Sequence, residues 1–216
     1  MSNKKILVVA AHPDDEILGI GGTICKHVSE KDDVYVCIVT KAYEPEWTKK
    51  YIEEKIVEQK KVDKILGIKK RMNLNLPTVK LNIISTGKLN KKITKVIDMV
   101  KPNIVYTHFE HDLNYDHALV FRACMVATRP PKNIKIACFE TLSETEWNNK
   151  TFKPNLWVDI SKYINKKIKA FETYKSEVKK YPHPRSIEGI EILAKKRGTE
   201  ASMKYAEVLK IIRGYW

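Results

Sequence analysis

Glycine and proline are scarce in this chain, at 8 and 9 of 216 residues. That excludes collagen-like and linker-rich architectures, which need far more of both. Cysteine is thin as well. Cys25, Cys37, Cys124 and Cys138 form no Cys-x-x-Cys pair and each sits in an apolar segment, so they read as buried, reduced thiols, not a disulfide framework. Long hydrophobic runs are missing: stretches such as Ile6–Ala11 fall far short of the roughly 18–20 apolar residues that cross a bilayer, so no membrane span is expected. Nor is a secretory leader, because the Lys4-Lys5 start leads through a short apolar stretch into Asp14, Asp15 and Glu16. These absences point to an unprocessed cytoplasmic protein. Arginine is the remaining scarcity: only Arg71, Arg122, Arg129, Arg185, Arg197 and Arg213 stand among 40 cationic residues, the other 34 being lysine.

What is present is an ordinary globular composition, 43% hydrophobic over 216 residues, enough for one domain spanning 1–216 with a sizeable core. The net charge is +14. Such an excess attracts anionic partners, but the lysines are scattered in pairs along the chain and are not gathered with arginine and aromatics on one element, as in most nucleic-acid readers. The charge therefore reads first as a solvated surface and second as a bias toward an anionic small molecule.

Apolar β-branched runs at Lys5–Ala11, Val34–Thr40, Arg71–Leu76, Asn103–Thr107, Ile134–Phe139 and Leu156–Ile160 predict strands. Helical spacing predicts helices over Asp14–Glu30, Glu46–Leu66 (inner face Ile52, Ile56, Ile65 and Leu66, closed by Gly67), Thr86–Lys101 and Tyr115–Thr128. From Ser161 onward the chain reads as helical, broken at Tyr181-Pro182-His183-Pro184. Strands alternating with helices predict an α/β fold, a Rossmann-like three-layer sandwich around a mostly parallel central sheet. Ligands bind such sheets beyond the carboxyl ends of the strands, which directs attention to the residues after Ala11, Thr40 and Thr107.

His12-Pro13-Asp14-Asp15-Glu16 follows the first strand at once. Acids in the first turn of a helix favour its dipole, but capping accounts for one or two of them and not for the imidazole. His12 and Asp15, three residues apart across a turn stiffened by Pro13, supply two of the three protein ligands of an open catalytic zinc site. A chelate and a capped helix start both remain open on this segment alone. The second cluster is His108-Phe109-Glu110-His111-Asp112-Leu113-Asn114-Tyr115-Asp116-His117, holding three of the six histidines, again past a strand end. His117 is the natural third ligand, and Asp116 can orient a neighbouring imidazole.

Ala11-His12-Pro13-Asp14-Asp15-Glu16 with Gly19, Gly21 and Gly22 resembles the signature of the PIG-L/LmbE-like family of metal-dependent de-N-acetylases, which act on N-acetylglucosamine-containing molecules. Asp112–His117 resembles the second motif, and His183-Pro184-Arg185-Ser186 with Arg197-Gly198 and Tyr205-Ala206-Glu207 is similar to the tail of bacterial members. The resemblance implies one zinc, or another divalent ion, held by His12, Asp15 and His117, with Asp14 as the general base toward water. It implies release of acetate from a small N-acetylated sugar, and the basic balance leans toward a phosphate-bearing one. Where family members often carry a histidine, this chain has Asn114, which donates a hydrogen bond but no proton. The acid role then passes to Asp14 in both steps, to His111 or to His183.

Other features have plainer readings. Gly19-x-Gly21-Gly22 lies inside a helix after an acidic turn, which fits close helix–sheet packing better than a dinucleotide fingerprint. His27 reads as exposed and Lys55–Glu58 as a surface pair. Trp47, Trp147 and Trp157 can stack on a sugar, although packing is the simpler role. Arg129 and Arg185 adjoin proline turns and are candidate anion clamps, with His111 a further candidate contact. Tyr215 and Trp216 either dock on the body or reach a partner, and oligomeric state is not legible. Two alternatives compete with the amidohydrolase: a metal-assisted phosphoesterase and a basic nucleic-acid-binding protein.

Overall fold

In the computed structural model, residues 3–215 are described; Trp216 lies outside them. The elements run β1 (Lys5–Ala10), α1 (Asp15–Ser29), β2 (Asp33–Lys41), α2 (Lys49–Leu66), β3 (Lys70–Pro77), a 3-10 turn (Leu81–Ile83), α3 (Thr86–Val100), β4 (Ile104–His108), α4 (Tyr115–Ala127), β5 (Lys135–Phe139), β6 (Leu156–Asp159), α5 (Ile164–Phe171), α6 (Ile187–Thr199) and β7 (Ala206–Arg213). They form one seven-stranded sheet of order β3-β2-β1-β4-β5-β7-β6. The first five strands are parallel, and β7 runs antiparallel to both β5 and β6.

Alternation along β1 sets the layers. Ile6, Val8 and Ala10 face a core shared with α1, α2, α5 and α6, whereas Leu7, Val9 and Ala11 face a second core built with α3 and α4. All six side chains are fully buried, each of the larger ones stabilising the fold by about 1.5–3 kcal/mol. No described helix is long and apolar enough to cross a membrane, and the four cysteines are free and buried.

Two expectations need correction. The tail is not helical throughout: Ala206–Arg213 is a strand inserted between β5 and β6. Its Ala-Glu-Val-Leu-Lys start suits either state, and the pairing of Ala137 with Ile211 and of Val158 with Glu207 decides for the strand. The inner face of α2 is also rotated. Lys55, Gln59, Val62 and Leu66 are buried, while Ile56 is 40% exposed. The first turns of α2 overhang a cleft instead of the sheet, so the stripe at 52 and 56 becomes cleft wall.

Helix α1 is broken at Ile20 (φ −139°, ψ 28°). The break leaves amides and a carbonyl inside the protein that a continuous helix would have paired. Glu207 accepts from Gly22 N at 2.9 Å and from Thr23 N at 2.6 Å, and Lys167 Nζ donates to Leu18 O at 2.9 Å and to Glu207 at 2.7 Å. The glycines of α1 are packing residues, as expected. A Cβ at Gly19 would overlap the Phe139 ring, and one at Gly22 would lie 2.7 Å from Ile160 Cγ2. Gly19→Ala is therefore expected to lower unfolding free energy by about 1–3 kcal/mol in a urea titration; an unchanged midpoint would show that the helix shifts freely.

Candidate active site

Strands β1 and β4 are neighbours, with Val8 paired to Tyr106, so the chain leaving each carboxyl end enters the same crevice. The sheet thereby joins two segments about a hundred residues apart. His12 Nδ1 lies 3.2 Å from Asp15 Oδ2, His117 Nε2 lies 3.3 Å from the same oxygen, and the two imidazole nitrogens are 3.3 Å apart. His12, Asp15 and His117 thus present one atom each to a common point, with their ring centroids 5.3 Å apart in the histidine pair.

Each imidazole is fixed from behind. His117 Nδ1 meets Asp112 Oδ2 at 2.9 Å, and the other oxygen of Asp112 accepts from Thr145 Oγ1 at 2.6 Å. His12 Nε2 meets Asp116 Oδ2 at 3.2 Å; Asp116 in turn accepts from Val79 N at 2.7 Å and Leu81 N at 3.3 Å. Carboxylates in this position fix ring orientation and raise ligand basicity. Asp116 therefore stands behind His12 and not in the cleft, and Asp112 is the partner of His117. His108, which forms another cluster with Asp112 and His117, accepts the Ala11 N–H at Nε2, 2.8 Å away. Burial, with the charge of His117, lowers its pKa to about 4. Its lone pair is committed to backbone, so it supports the site by stacking on His117 at 3.7 Å.

The donor set fits a tetrahedral divalent ion. Ligand bonds of 2.0–2.1 Å imply ligand–ligand edges of about 3.3 Å, the spacing of all three atoms. Asp15 Oδ1 is buried without a hydrogen-bond partner, and the protonation pattern asks for positive charge here. Burial alone would lower His12 and His117, but the carboxylates of Asp116 and Asp15 raise the former to about 9, and those of Asp15 and Asp112 raise the latter to about 10. Burial alone would raise Asp15, yet the two histidines His117 and His108 hold it well below the usual carboxylate range. A bound cation would replace those protons, the usual competition at such sites.

Asp14 precedes α1 with φ 122° and ψ −30° and makes no side-chain cap. That conformation is sparsely populated for a non-glycine residue and costs on the order of 1–3 kcal/mol. Burial pushes its carboxyl well up, while Arg185, whose Nη1 lies 3.3 Å from Oδ2, pulls it down. Arg185 also contacts Glu144 at 3.1 Å and Ser143 Oγ at 2.7 Å. Asn114 caps α4, its Oδ1 accepting from Asp116 N at 3.0 Å, which leaves the amide nitrogen as its available donor. His12, Asp14, Asp15, Asn114 and Arg185 all line a cleft of about 470 Å³, whose other lining residues include Trp47, Tyr51, Ile52, Ile56 and Val79 together with Gln59, Asn73, Asn75, Thr78, Lys41, Lys55 and Glu177.

Several expected contacts are not there. His111 is exposed, 3.6 Å from Glu110, and outside the cleft. His183 accepts the Arg185 N–H at Nδ1, 3.0 Å away, stands edge-on to Trp147, and is not among the residues that line the cleft. Arg129 follows the far end of α4, a helix length of about 20 Å from Asn114 at 1.5 Å per residue, and donates to Val126 O. Lys55 and Glu58 are not a surface pair: Lys55 is buried, 3.0 Å from both Glu58 and Glu177. His27 is not exposed but half-buried between Asp32 at 2.8 Å and the Tyr106 hydroxyl at 3.0 Å. Among the described tryptophans only Trp47 lines the cleft; Trp157 donates to Glu200. Sequence reasoning missed Arg71, Glu144, Glu177 and Thr145, and gave Glu16 and Asp112 a place in their clusters without the parts they play. Arg71 carried a signal, since an arginine in a lysine-dominated chain marks a site that needs a planar fork.

Residues 7–128 match the sequence model of the PIG-L family, GlcNAc-PI de-N-acetylase. The chain is 26% identical to the diacetylchitobiose deacetylase of Thermococcus kodakarensis, over 98% of this chain and 84% of that protein. It is 29% identical to YaiS, an uncharacterized deacetylase of Escherichia coli, over 80% of this chain and 91% of that one. The structure superimposes on the N,N'-diacetylchitobiose deacetylase of Pyrococcus horikoshii with a TM-score of 0.79 at 22% identity, covering 97% of this chain and 84% of the other.

Proposed function

The chain belongs to the PIG-L family of de-N-acetylases, hydrolases of N-acetylated amino sugars, and from that premise we propose that its cleft holds one zinc ion on His12, Asp15 and His117 and uses Asp14 to move the proton. The triangle of ligand atoms with 3.2–3.3 Å edges beside an uncapped buried carboxyl carries this reading. Zinc in such a site supplies Lewis acidity, polarising the acetyl carbonyl and making water acidic near neutral pH.

The chain's own residues do the rest. Asp14 takes a proton from the attacking water and, kept high by burial, can hold it and return it to the departing amine. With His111 and His183 outside the cleft, both proton steps fall to Asp14. Arg185 holds the carboxyl in place between transfers. The Asn114 amide donates toward the negative charge that develops on the acetyl carbonyl oxygen as water adds to its carbon, a contact of a kind worth roughly 3–4 kcal/mol. Trp47 and Tyr51 offer ring faces to a sugar, and Asn73, Asn75 and Thr78 offer hydrogen bonds to its hydroxyls. Lys41 at the rim, in a chain of net charge +14, favours a substrate with an anionic group. Neither the phosphoesterase nor the nucleic-acid reading finds support in the family match.

An acetate-release screen over N-acetylated mono- and disaccharides, sugar nucleotides and sugar phosphates tests this. Acetate release that a chelator stops and zinc restores is expected. Phosphate release instead, or acetate from none of the panel, would reject the reading.

A further inference from the structure

Three of the six arginines, Arg71, Arg185 and Arg197, bind carboxylates in places largely closed to solvent. Arg185 lines the cleft and Arg197 pairs with Glu140 at 2.6 Å. Arg71 has no part in the chemistry described so far, yet only 5% of its side chain is exposed. It stands on β3 opposite Val36 of β2. Its Nη2 lies 2.9 Å from Glu16 Oε1 and 2.7 Å from Asp63 Oδ1, and its Nε donates to the same Asp63 oxygen at 2.8 Å. The Tyr174 hydroxyl donates to Glu16 Oε1 at 3.3 Å. Element β3 and the segment after α5 therefore converge on one fully buried carboxylate, and α2 braces the arginine through Asp63.

The other oxygen of Glu16 accepts the Asp14 N–H at 3.0 Å. This is the backward reach that a capping-box acid makes toward the amide at a helix start, without the forward half, since the Asp14 side chain caps nothing. The consequence is specific. Glu16 supplies the partner for a buried amide only while Asp14 keeps its positive φ, and that backbone angle leaves the Asp14 carboxyl free of the helix and in the cleft. We propose that Glu16, clamped by Arg71, is the positioning residue for Asp14, holding its peptide in the strained conformation that aims the carboxyl at the reaction site. Arginine is needed because its fork reaches Asp63 and Glu16 together, whereas a lysine ammonium has no fixed direction. The inference rests on the reading of Asp14 as the proton carrier.

Arg71→Lys keeps the charge and removes the fork. Its kcat is expected to fall about 10–100-fold while KM and bound zinc stay at wild-type values, and Asp14 in its metal-free crystal structure is expected to leave the positive-φ region. Tyr174→Phe removes one oxygen and no charge, and carries the same test if the arginine variant fails to fold: a smaller fall in kcat at constant KM, with Asp14 displaced. An unchanged kcat, or a lowered kcat with Asp14 still at positive φ, overturns the proposal, as does a fall that comes with loss of zinc. The backbone angle is read without substrate. A wild type that releases no acetate would therefore sink the de-N-acetylase reading alone.

Discussion

Asp14→Asn is expected to reduce acetate release by about 10²–10⁴-fold with zinc content and unfolding midpoint unchanged. The amide matches the carboxylate in shape, and Asn tolerates positive φ better than most residues, so the strained turn survives. Arg185 keeps Glu144 at 3.1 Å and Glu177 at 3.8 Å, so removing one negative charge does not strand the guanidinium. Replacing a buried carboxyl by a neutral group also removes a desolvation cost, which is why no loss of stability is expected. What disappears is the ability to accept a proton. Steady-state assays on the best substrate of the screen, beside metal analysis and thermal unfolding, check it. Retention of more than a tenth of wild-type turnover would mean that another group handles the proton.

His117→Ala is expected to lower bound zinc from about one per chain to near zero and turnover to the uncatalysed background. Two ligands separated by a single turn remain, and the ion is no longer held jointly from the ends of the two neighbouring strands β1 and β4. The vacated space also leaves Asp112 Oδ2 with only His108 at 3.7 Å, so stability should drop by about 1–3 kcal/mol as a buried acceptor loses its donor. Metal analysis after dialysis, with the acetate assay, decides it. Loss of the ion with full activity would remove the metal from the mechanism, whereas full retention of the ion would move the site elsewhere.

Much of this site was legible because its chemistry is concentrated. His12, Asp14 and Asp15 sit within four residues at a strand end, and an α/β alternation states which end faces the ligand. His117 was reachable because β4 neighbours β1 in the common order for such sheets. The illegible parts depend on contacts distant in sequence. No local pattern ties Asp112, and not Asp116, to His117, because both acids lie within one turn or so of it. Lys55 looked like half of a surface pair with Glu58, and Glu177, over a hundred residues later, joins Glu58 in making burial of that ammonium tolerable. His111 and His183 looked suitable for the acid role, and only the packing of their loops, not visible in sequence, leaves them out of the cleft lining. Strand β7 was misread because its register with β5, and not its own propensity, sets its conformation.

The broken helix α1 sets a limit on how this protein can be divided. Glu207 is 185 residues from Gly22, well outside the stretch 7–128 that matches the family, yet it shares its charge between the severed helix and Lys167. A fragment cut to the matched stretch would carry His12, Asp15 and His117 but not the counterion that lets α1 bend, and would bury two amides with nothing to receive them. His12, Asp14, Asp15 and His117 all lie within that stretch; the permission for the backbone of α1 to bend comes from the final strand.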